Sequence, residues 1–264
     1  MKTFRLMLAF FTRLPVPAPP YTEERYIKGL KWIPFVGVVM GCILYALSFF
    51  GRLFDPPVTA LVLLSGYLYI TGGLHLDGLA DSCDGMLSGR DRDRILEIMK
   101  DSRVGSFGVL AMLFFFSFYM VMFQYIPAEG LLLLPVIGKS APLISASLSE
   151  YARPEGMGKL LADHVGKKEV CVALLLPVVM AVVIPLVFSA PVRMDGSVGC
   201  VSGSGIVAYL MATAAAFLSV VGLTRTCRRI LGGITGDTMG MVCEVSQMVF
   251  VFVLYVIQLY VVQR

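Results

Sequence analysis

Three aspartates that follow a hydrophobic run form the first candidate site in this sequence. Asp77, Asp81 and Asp84 are spaced i, i+4 and i+7, so on a helix they fall within about 60° of one face. Three carboxylates on one face repel one another unless a cation lies between them. Because hard cations prefer carboxylate oxygens, we predict that these aspartates bind Mg²⁺, with Mn²⁺ as a substitute. A solvated helix face beside a membrane span is the alternative interpretation.

A basic segment follows the aspartates and leads into another hydrophobic run. Asp101 or Ser102 can cap the helix that begins there. Arg103 lies where free N–H groups and the helix dipole favour anions, and Gly105 leaves the backbone accessible to a phosphate. We therefore predict that Lys100, Arg103 and Gly105 contact a phosphorylated substrate. A capped helix whose Arg side chain extends to solvent explains the same residues.

Further charged residues can complete this site. Lys139 is the one cation well inside a hydrophobic run, and such residues are costly in a bilayer and usually functional. Arg153 lies in a loop that contains glycines. Asp237 follows a pair of glycines in a loop whose backbone can cradle an anion, and Glu244 lies seven residues later on the same helical face. We predict that Lys139 and Arg153 bind substrate phosphates and that Asp237 belongs to the acidic site.

The composition indicates a polytopic membrane protein that would hold these residues between helices. Hydrophobic residues make up 57% of the chain and charged residues 15%, whereas soluble domains carry about 25% charged residues. We predict a single all-α domain, 1–264, of seven transmembrane helices after an amphipathic interfacial segment at 1–32. Short links at 51–56 and 127–129 predict that the helices on either side form antiparallel hairpins. The seven hydrophobic runs are 33–50, 57–74, 106–126, 130–148, 170–189, 203–222 and 241–262.

The basic residues predict the orientation of the chain in the membrane. Eighteen of the 22 Lys and Arg residues fall in the segments that share a side with the N-terminus, and three fall in the opposite segments. Because cytoplasmic loops carry an excess of Lys and Arg, the N-terminus is predicted to be cytoplasmic. The acidic residues follow the same distribution, so we expect an active site at the cytoplasmic face of a multi-pass protein.

The residue types together predict phosphoryl or phosphodiester transfer. Carboxylates for divalent cations, basic groups for phosphate oxygens and exposed backbone suit this chemistry. The sequence contains no P-loop, no protein-kinase signature and no Ser-His-Asp arrangement.

Five segments resemble the cobalamin synthase family, also called the adenosylcobinamide-GDP ribazoletransferase family. The similarity extends over nearly the whole chain. The segments are GGLHLDGLAD (72–81), MKDSRVGSFG (99–108), YAR (151–153), GGITGD (232–237) and FTRLPVP (11–17).

This resemblance implies the last assembly step of cobalamin. Adenosylcobinamide-GDP and α-ribazole, or its 5′-phosphate, are joined in a Mg²⁺-dependent reaction that releases GMP. The implied location is the cytoplasmic (inner) membrane of a bacterium or archaeon. The implied partners are the two substrates, the lipid bilayer and other enzymes of nucleotide-loop assembly, with no role for nucleic acid.

A more distant resemblance is to the CDP-alcohol phosphotransferases, whose motif is D-x-x-D-G-x-x-A-R followed by G-x-x-x-D-x-x-x-D. Asp81, Asp84 and Gly85 match its beginning. Position 89, where the motif has Arg, is Gly89, and the Arg of this chain comes one residue later, at Arg90. Met241 stands where that family has its last aspartate, the candidate general base, so this comparison leaves the base unassigned.

The mechanism that we expect is direct attack by a ribose hydroxyl of ribazole on the phosphorus attached to cobinamide. Asp101 is the favoured general base because it lies beside Arg103, and Asp237 or a carboxylate of the metal site such as Asp84 is the alternative. A helix would turn His75 about 200° away from Asp77. Retention of configuration would instead indicate a covalent intermediate on a nucleophile such as Asp84 or His75.

Two other functional classes fit part of the pattern. A cation-coupled transporter would also carry an acidic cluster, although such residues usually lie near the bilayer midplane. A prenyltransferase of the UbiA type also uses spaced aspartates and Mg²⁺, but would carry a denser second acidic motif. Release of GMP rather than pyrophosphate distinguishes the ribazoletransferase.

Overall fold

The computed structural model describes residues 1–156, 158–188 and 204–262, and the all-α prediction is confirmed for them. Their regular structure is helical, apart from one isolated parallel bridge between Tyr151 and Ile234. The α-helices are α1 (Lys2–Phe11), α2 (Glu23–Gly29), α3 (Ile33–Ser48), α4 (Pro56–Thr71), α5 (Leu74–Met86), α6 (Arg92–Ile98), α7 (Ser106–Met122), α8 (Gly130–Leu148), α9 (Lys159–His164), α10 (Lys167–Val187), α11 (Ser204–Leu231) and α12 (Gly236–Ile257).

The centre of the bundle is α8, which is buried along almost its whole length and packs against α3, α10, α11 and α12. Glycines allow the closest of these contacts. A Cβ on Gly37 of α3 would lie 2.6 Å from the Pro135 carbonyl oxygen of α8. Small residues of this kind let membrane helices approach at backbone distance.

Five helical segments are long and apolar enough to cross a membrane: Glu23–Arg52, Gly130–Leu148, Lys167–Val187, Gly205–Leu231 and Gly236–Tyr260. The helices α4 and α5 form a sixth candidate if they are counted together, although they are bent by 90°. The apolar helix α7 is shorter, with 17 residues. Each hydrophobic run therefore coincides with a helix, and the count of seven spans stays a prediction.

The bend between α4 and α5 occurs at two consecutive glycines. Gly72 and Gly73 have φ angles of 60° and 73°, a left-handed conformation that other residues adopt at a cost. The Gly72 N–H donates to the Leu68 carbonyl over 2.8 Å and ends α4. α5 therefore leaves the direction of α4 at a right angle, and its position outside the spanning segments, across the end of the bundle, is a prediction.

One of the two predicted hairpins is wrong. The helices α3 and α4 are packed neighbours, as expected, but α7 packs mainly against α4 and α5, whereas α8 lies among α3, α10, α11 and α12. The short link keeps the end of α7 near the start of α8. Because α8 is buried on all sides, however, its neighbours are the four helices that surround it rather than α7. The N-terminal helix α1 packs against α2 and α3 and buries Leu6, Met7, Leu8 and Phe11, and its position at a membrane interface stays a prediction.

Candidate active site

The three aspartates of the first motif lie on one helix, α5, as their spacing predicted. We call Asp77, Asp81 and Asp84 the acidic row. Asp77 is exposed, Asp81 is half-buried and Asp84 is buried. Seven residues separate the ends of the row, about 10 Å along the helix axis. The row is therefore open to solvent at one end and closed by protein at the other.

Asp237 joins the acidic row from the first turn of α12. A capping box fixes this helix start: the Thr238 N–H donates to Thr235 Oγ1 over 3.2 Å, and the Thr235 N–H donates to Thr238 Oγ1 over 2.8 Å. The helices α5 and α12 meet at backbone distance, since a Cβ on Gly78 would lie 2.7 Å from the Asp237 carbonyl oxygen. Gly240 makes a matching approach from α12 to the backbone of α5. The absence of side chains at these two glycines brings Asp237 to the row.

Arg153 supplies positive charge at the same place. The Ala152 N–H donates to the Ile234 carbonyl over 2.7 Å, and the Ile234 N–H donates to the Glu150 carbonyl over 2.9 Å. These bonds tie the loop after α8 to the loop before α12. Nη1 of Arg153 then lies 3.0 Å from Oδ2 of Asp237, with 10% of the Arg153 side chain exposed. Within the described residues, Arg153 Nε is buried without a hydrogen-bond partner.

The electrostatics of the site favour a cation. Burial, and then the carboxylates of Asp77, Asp237 and Asp84, raise the pKa of Asp81 to about 7, while Arg153 acts in the opposite direction. Asp77, Asp81 and Asp237 therefore offer oxygen donors of the kind that hard divalent cations bind. The chemistry of these donors is the kind that Mg²⁺ prefers, although their oxygens are not within 4.8 Å of one another in the described residues, and Mg²⁺ binding stays a prediction.

Asp84 has a structural task that the sequence did not reveal. Its Oδ2 accepts from the Gly105 N–H over 2.7 Å, and its Oδ1 accepts from the Gly108 N–H over 2.9 Å. Both glycines must lack a side chain, because a Cβ on either would collide with the carboxylate. Asp84 of α5 thus caps the start of α7, and the prediction of a cap by Asp101 or Ser102 is wrong. The anion that meets the Gly105 backbone is a carboxylate of the chain itself, so a phosphate would have to compete with it.

Asp101 and Arg103 pair with each other at the surface. Arg103 Nη2 lies 2.7 Å from Asp101 Oδ2, and Arg103 Nε donates to Oδ1 over 3.0 Å. This bonding lowers the pKa of Asp101 to about 2. The pair borders a cavity of about 460 Å³ that reaches Asp84, and Lys100 is exposed beside it. Arg103 and Asp84 thus border the same cavity at the closed end of the acidic row, and the phosphate-binding role of Arg103 stays a prediction.

Lys139 lies away from the acidic row, in a buried cluster behind α5. Its Nζ lies 3.0 Å from His75 Nδ1 and 5.4 Å from the centre of the Phe11 ring, and only 2% of the residue is exposed. His75 is turned about 200° from Asp77 on the helix, which puts the contact on the opposite side of α5. A substrate phosphate at the row does not reach Lys139 in this arrangement, and its predicted phosphate role stays untested.

Glu244 belongs to the same buried cluster rather than to a second acidic stripe. Both of its oxygens accept from the Tyr67 hydroxyl, over 3.0 and 2.8 Å, and Tyr67 Oη also accepts from Gln247 Nε2 over 2.9 Å. Ligand atoms of His75, Cys243 and Glu244 lie within 4.8 Å of one another, the one such trio in the described part of the chain. Lys139 Nζ lies beside this trio, 3.0 Å from His75 Nδ1. The contact of Lys139 with His75 and the neighbouring Glu244 was missed because these residues come from separate helices, although an isolated Glu in an apolar run was a signal.

The fold and the site define a class of protein: a helical bundle with several segments able to cross a membrane, and with carboxylates and basic groups gathered at one end. The sequence agrees with this class over its whole length. Residues 3–255 match the family of cobalamin-5-phosphate synthases, and the chain belongs to this family.

The alignments with similar proteins cover this chain and each relative almost completely. The chain is 36% identical over 259 residues to the adenosylcobinamide-GDP ribazoletransferase of Alkaliphilus oremlandii, which spans 98% of each protein. It is 36% identical over 262 residues to the protein of the same name in Acetivibrio thermocellus, covering 97% of this chain and 98% of the relative. Identity to the Fusobacterium nucleatum protein of that name is 32% over 283 residues. No solved structure matches the chain.

Proposed function

We propose that this protein is an adenosylcobinamide-GDP ribazoletransferase. The observation that carries the proposal is that residues from three of the family-like segments, far apart in sequence, meet at one place. Asp77 and Asp81 on α5, Arg153 after α8 and Asp237 on α12 form one acidic site with one paired cation. Such a set suits transfer between phosphorylated substrates.

The proposed reaction joins adenosylcobinamide-GDP to α-ribazole or its 5′-phosphate. A ribose hydroxyl oxygen of ribazole forms a bond to the phosphorus attached to cobinamide. The bond between this phosphorus and the oxygen of the GMP phosphate breaks, and GMP leaves with the electron pair. The hydroxyl proton passes to a base on the protein.

Mg²⁺ is the proposed cofactor, with Mn²⁺ as a substitute. Asp77, Asp81 and Asp237 are the residues that would hold it. Asp84 lies at the buried end of the row, where its oxygens accept hydrogen bonds from the Gly105 and Gly108 N–H groups. When bound, the cation compensates negative charge on the diphosphate and acidifies a coordinated hydroxyl.

The other polar residues have separate proposed tasks. Arg103 and Lys100 orient the diphosphate and the departing GMP, and Arg153 fixes Asp237 and faces the row. Asp84 positions α7 against α5 by capping it. Asp237 or Asp101 takes the hydroxyl proton, and Asp237 is favoured because it lies beside Asp77 and Asp81, whereas Asp101 pairs with Arg103 at the surface.

The proposed location is the cytoplasmic membrane, with the N-terminus and the acidic site at the cytoplasmic face. This follows from the distribution of Lys and Arg. It gives the site access to cytoplasmic nucleotides and to other enzymes of nucleotide-loop assembly.

The test is turnover by the purified protein in proteoliposomes. We expect adenosylcobinamide-GDP and α-ribazole 5′-phosphate to give GMP and a cobalamin phosphate in equal amounts when Mg²⁺ is present. The Asp81→Asn variant is the matched inactive control. Release of pyrophosphate, or cation uptake without any product, would support one of the other two classes and overturn the proposal.

A further inference from the structure

A second cavity, of about 600 Å³, opens at the exposed end of the acidic row. It lies between the end of α1, the glycine bend after α4 and one side of α7. Its wall includes the apolar side chains of Phe10, Leu74 and Met112 and the charged side chains of Arg13 and Asp77. An apolar wall with a few polar groups is typical of small-molecule sites, which have volumes of about 300–1,000 Å³.

Arg13 is the cation of this cavity. Its backbone N–H donates to the Ile70 carbonyl over 2.8 Å, which fixes the chain after α1 to the end of α4. Its side chain packs over Gly72, where a Cβ would collide with it. The guanidinium group makes no hydrogen bond or ion pair with any residue that the structure describes, so it can bind an anion.

The two cavities lie at the two ends of the acidic row. The cavity of Arg13 reaches Asp77, and the cavity of Arg103 reaches Asp84. These aspartates are about 10 Å apart along α5. Phosphoryl transfer places the attacking and leaving oxygens on opposite sides of the phosphorus, roughly in line. Two cavities with the carboxylates between them match this requirement.

We infer that the Arg13 cavity binds the acceptor of the transfer, an aromatic base with a ribose phosphate, and that Arg13 holds its 5′-phosphate. The aromatic base packs against Phe10 and Met112. The ribose hydroxyl then points along α5 toward Asp77 and Asp81, while the nucleotide of the other substrate occupies the Arg103 cavity. This inference rests on the proposed function and adds to it the place where the acceptor binds and the residue that holds its 5′-phosphate.

The first experiment compares α-ribazole 5′-phosphate with α-ribazole as acceptors. Arg13→Gln retains most of the side-chain length and removes the charge. We expect it to raise KM and Kd for the phosphorylated acceptor by about tenfold to a hundredfold, with little change for α-ribazole or adenosylcobinamide-GDP. Arg13→Lys should recover part of the affinity. Lys2→Ala, which removes an exposed charge from the preceding helix α1, is the control and should change neither value.

A second variant tests the cavity itself. Met112→Trp adds bulk at the apolar wall and should weaken binding of both acceptors but not of adenosylcobinamide-GDP. Leu113→Trp places the same side chain on the exposed face of α7 and should have no such effect.

The results separate this inference from the proposed function. If the parent protein does not release GMP, the proposed function fails. If the parent releases GMP but Arg13→Gln affects both acceptors equally, or if the parent shows no preference for the phosphate, the inference alone is overturned. A selective loss of affinity for adenosylcobinamide-GDP in Arg13→Gln or Met112→Trp would assign the cavity to the nucleotide and also overturn it.

Discussion

Arg153 and Asp237 form a largely buried ion pair, with 3.0 Å between Nη1 and Oδ2 and with 10% and 24% of the two side chains exposed. The pair joins the loop after α8 to the first turn of α12. It holds one carboxylate in place while Asp77 and Asp81 stay available for cations.

Removing Arg153 should therefore damage both stability and activity. We expect Arg153→Gln to destabilise the protein by about 1–3 kcal/mol, because Asp237 is left without its partner. It should also lower kcat by about a hundredfold. Thermal unfolding in detergent and steady-state GMP release measure the two effects. Arg94→Gln breaks the exposed pair with Glu97 and should cost less than about 1 kcal/mol; equal losses in both variants would contradict a special role for Arg153.

The half-buried Asp81 and the buried Asp84 should respond differently to the same substitution. Asp81→Asn removes repulsion, so it should not lower the thermal midpoint without metal, but it should abolish turnover and the stabilisation by Mg²⁺. Asp84→Asn leaves one oxygen to accept from two backbone N–H groups and should destabilise the protein by about 1–3 kcal/mol. Midpoints with and without Mg²⁺ check this, and Mg²⁺ stabilisation that survives in Asp81→Asn would argue against the metal assignment.

The glycine contacts between α5 and α12 should tolerate no side chain. In Gly78→Ala the new Cβ would lie 2.7 Å from the Asp237 carbonyl oxygen, so the helices must separate at a cost of about 1–3 kcal/mol. Activity should fall as Asp237 moves from the row. Gly222→Ala, in α11, meets open space and should be neutral or stabilise by up to about 1 kcal/mol. The unfolding midpoint and the turnover rate of both variants test this. If Gly78→Ala is as stable and as active as Gly222→Ala, the contact between α5 and α12 does not position Asp237.

Asp101 provides a prediction about pH. Its pKa is lowered to about 2 by hydrogen bonds from Arg103, so the pair is fully formed above the unfolded pKa of about 4 and is lost only as pH falls through about 2. Asp101 should therefore contribute no ionisation to activity between pH 5 and 9. We expect Asp101→Asn to retain the parent's kcat profile in shape and to lower kcat by no more than about tenfold. A thousandfold loss in kcat with unchanged substrate binding would restore Asp101 as the general base.

Orientation in the membrane can be measured directly. With the N-terminus in the cytoplasm, a cysteine introduced by Ser88→Cys should be protected from an impermeant thiol reagent in intact cells, and one introduced by Arg52→Cys should react. The parent chain provides the background signal from its own cysteines. The reverse pattern would invert the proposed topology.

The parts of the site that could be predicted from the sequence are those set by local geometry. A helix carries Asp77, Asp81 and Asp84 on one face because its periodicity depends only on neighbouring residues. The same periodicity turns His75 away from them. Arg153 and Asp237 were assigned to the site from residue type and motif, and the structure brings them into contact.

The parts that could not be predicted depend on which helices touch. The capping of α7 by Asp84 requires α5 to pass the start of α7, and the contact of Lys139 with His75 requires α8 to lie behind α5. Neither neighbour relation is encoded in spacing along the chain. Arg13 was noted only as part of a family-like segment, because its cavity is formed by segments about 60 and 100 residues away.

The right-angle bend at Gly72 and Gly73 determines where the aspartates of α5 lie relative to the two cavities. A straight continuation of α4 would carry Asp84 about 18 Å beyond the end of the bundle, far from the start of α7. The bend instead lays the carboxylates parallel to the end of the bundle, with one cavity at each end of the line. If the two cavities hold the two substrates as proposed, each substrate has its own cavity at one end of α5, and neither has to leave before the other binds.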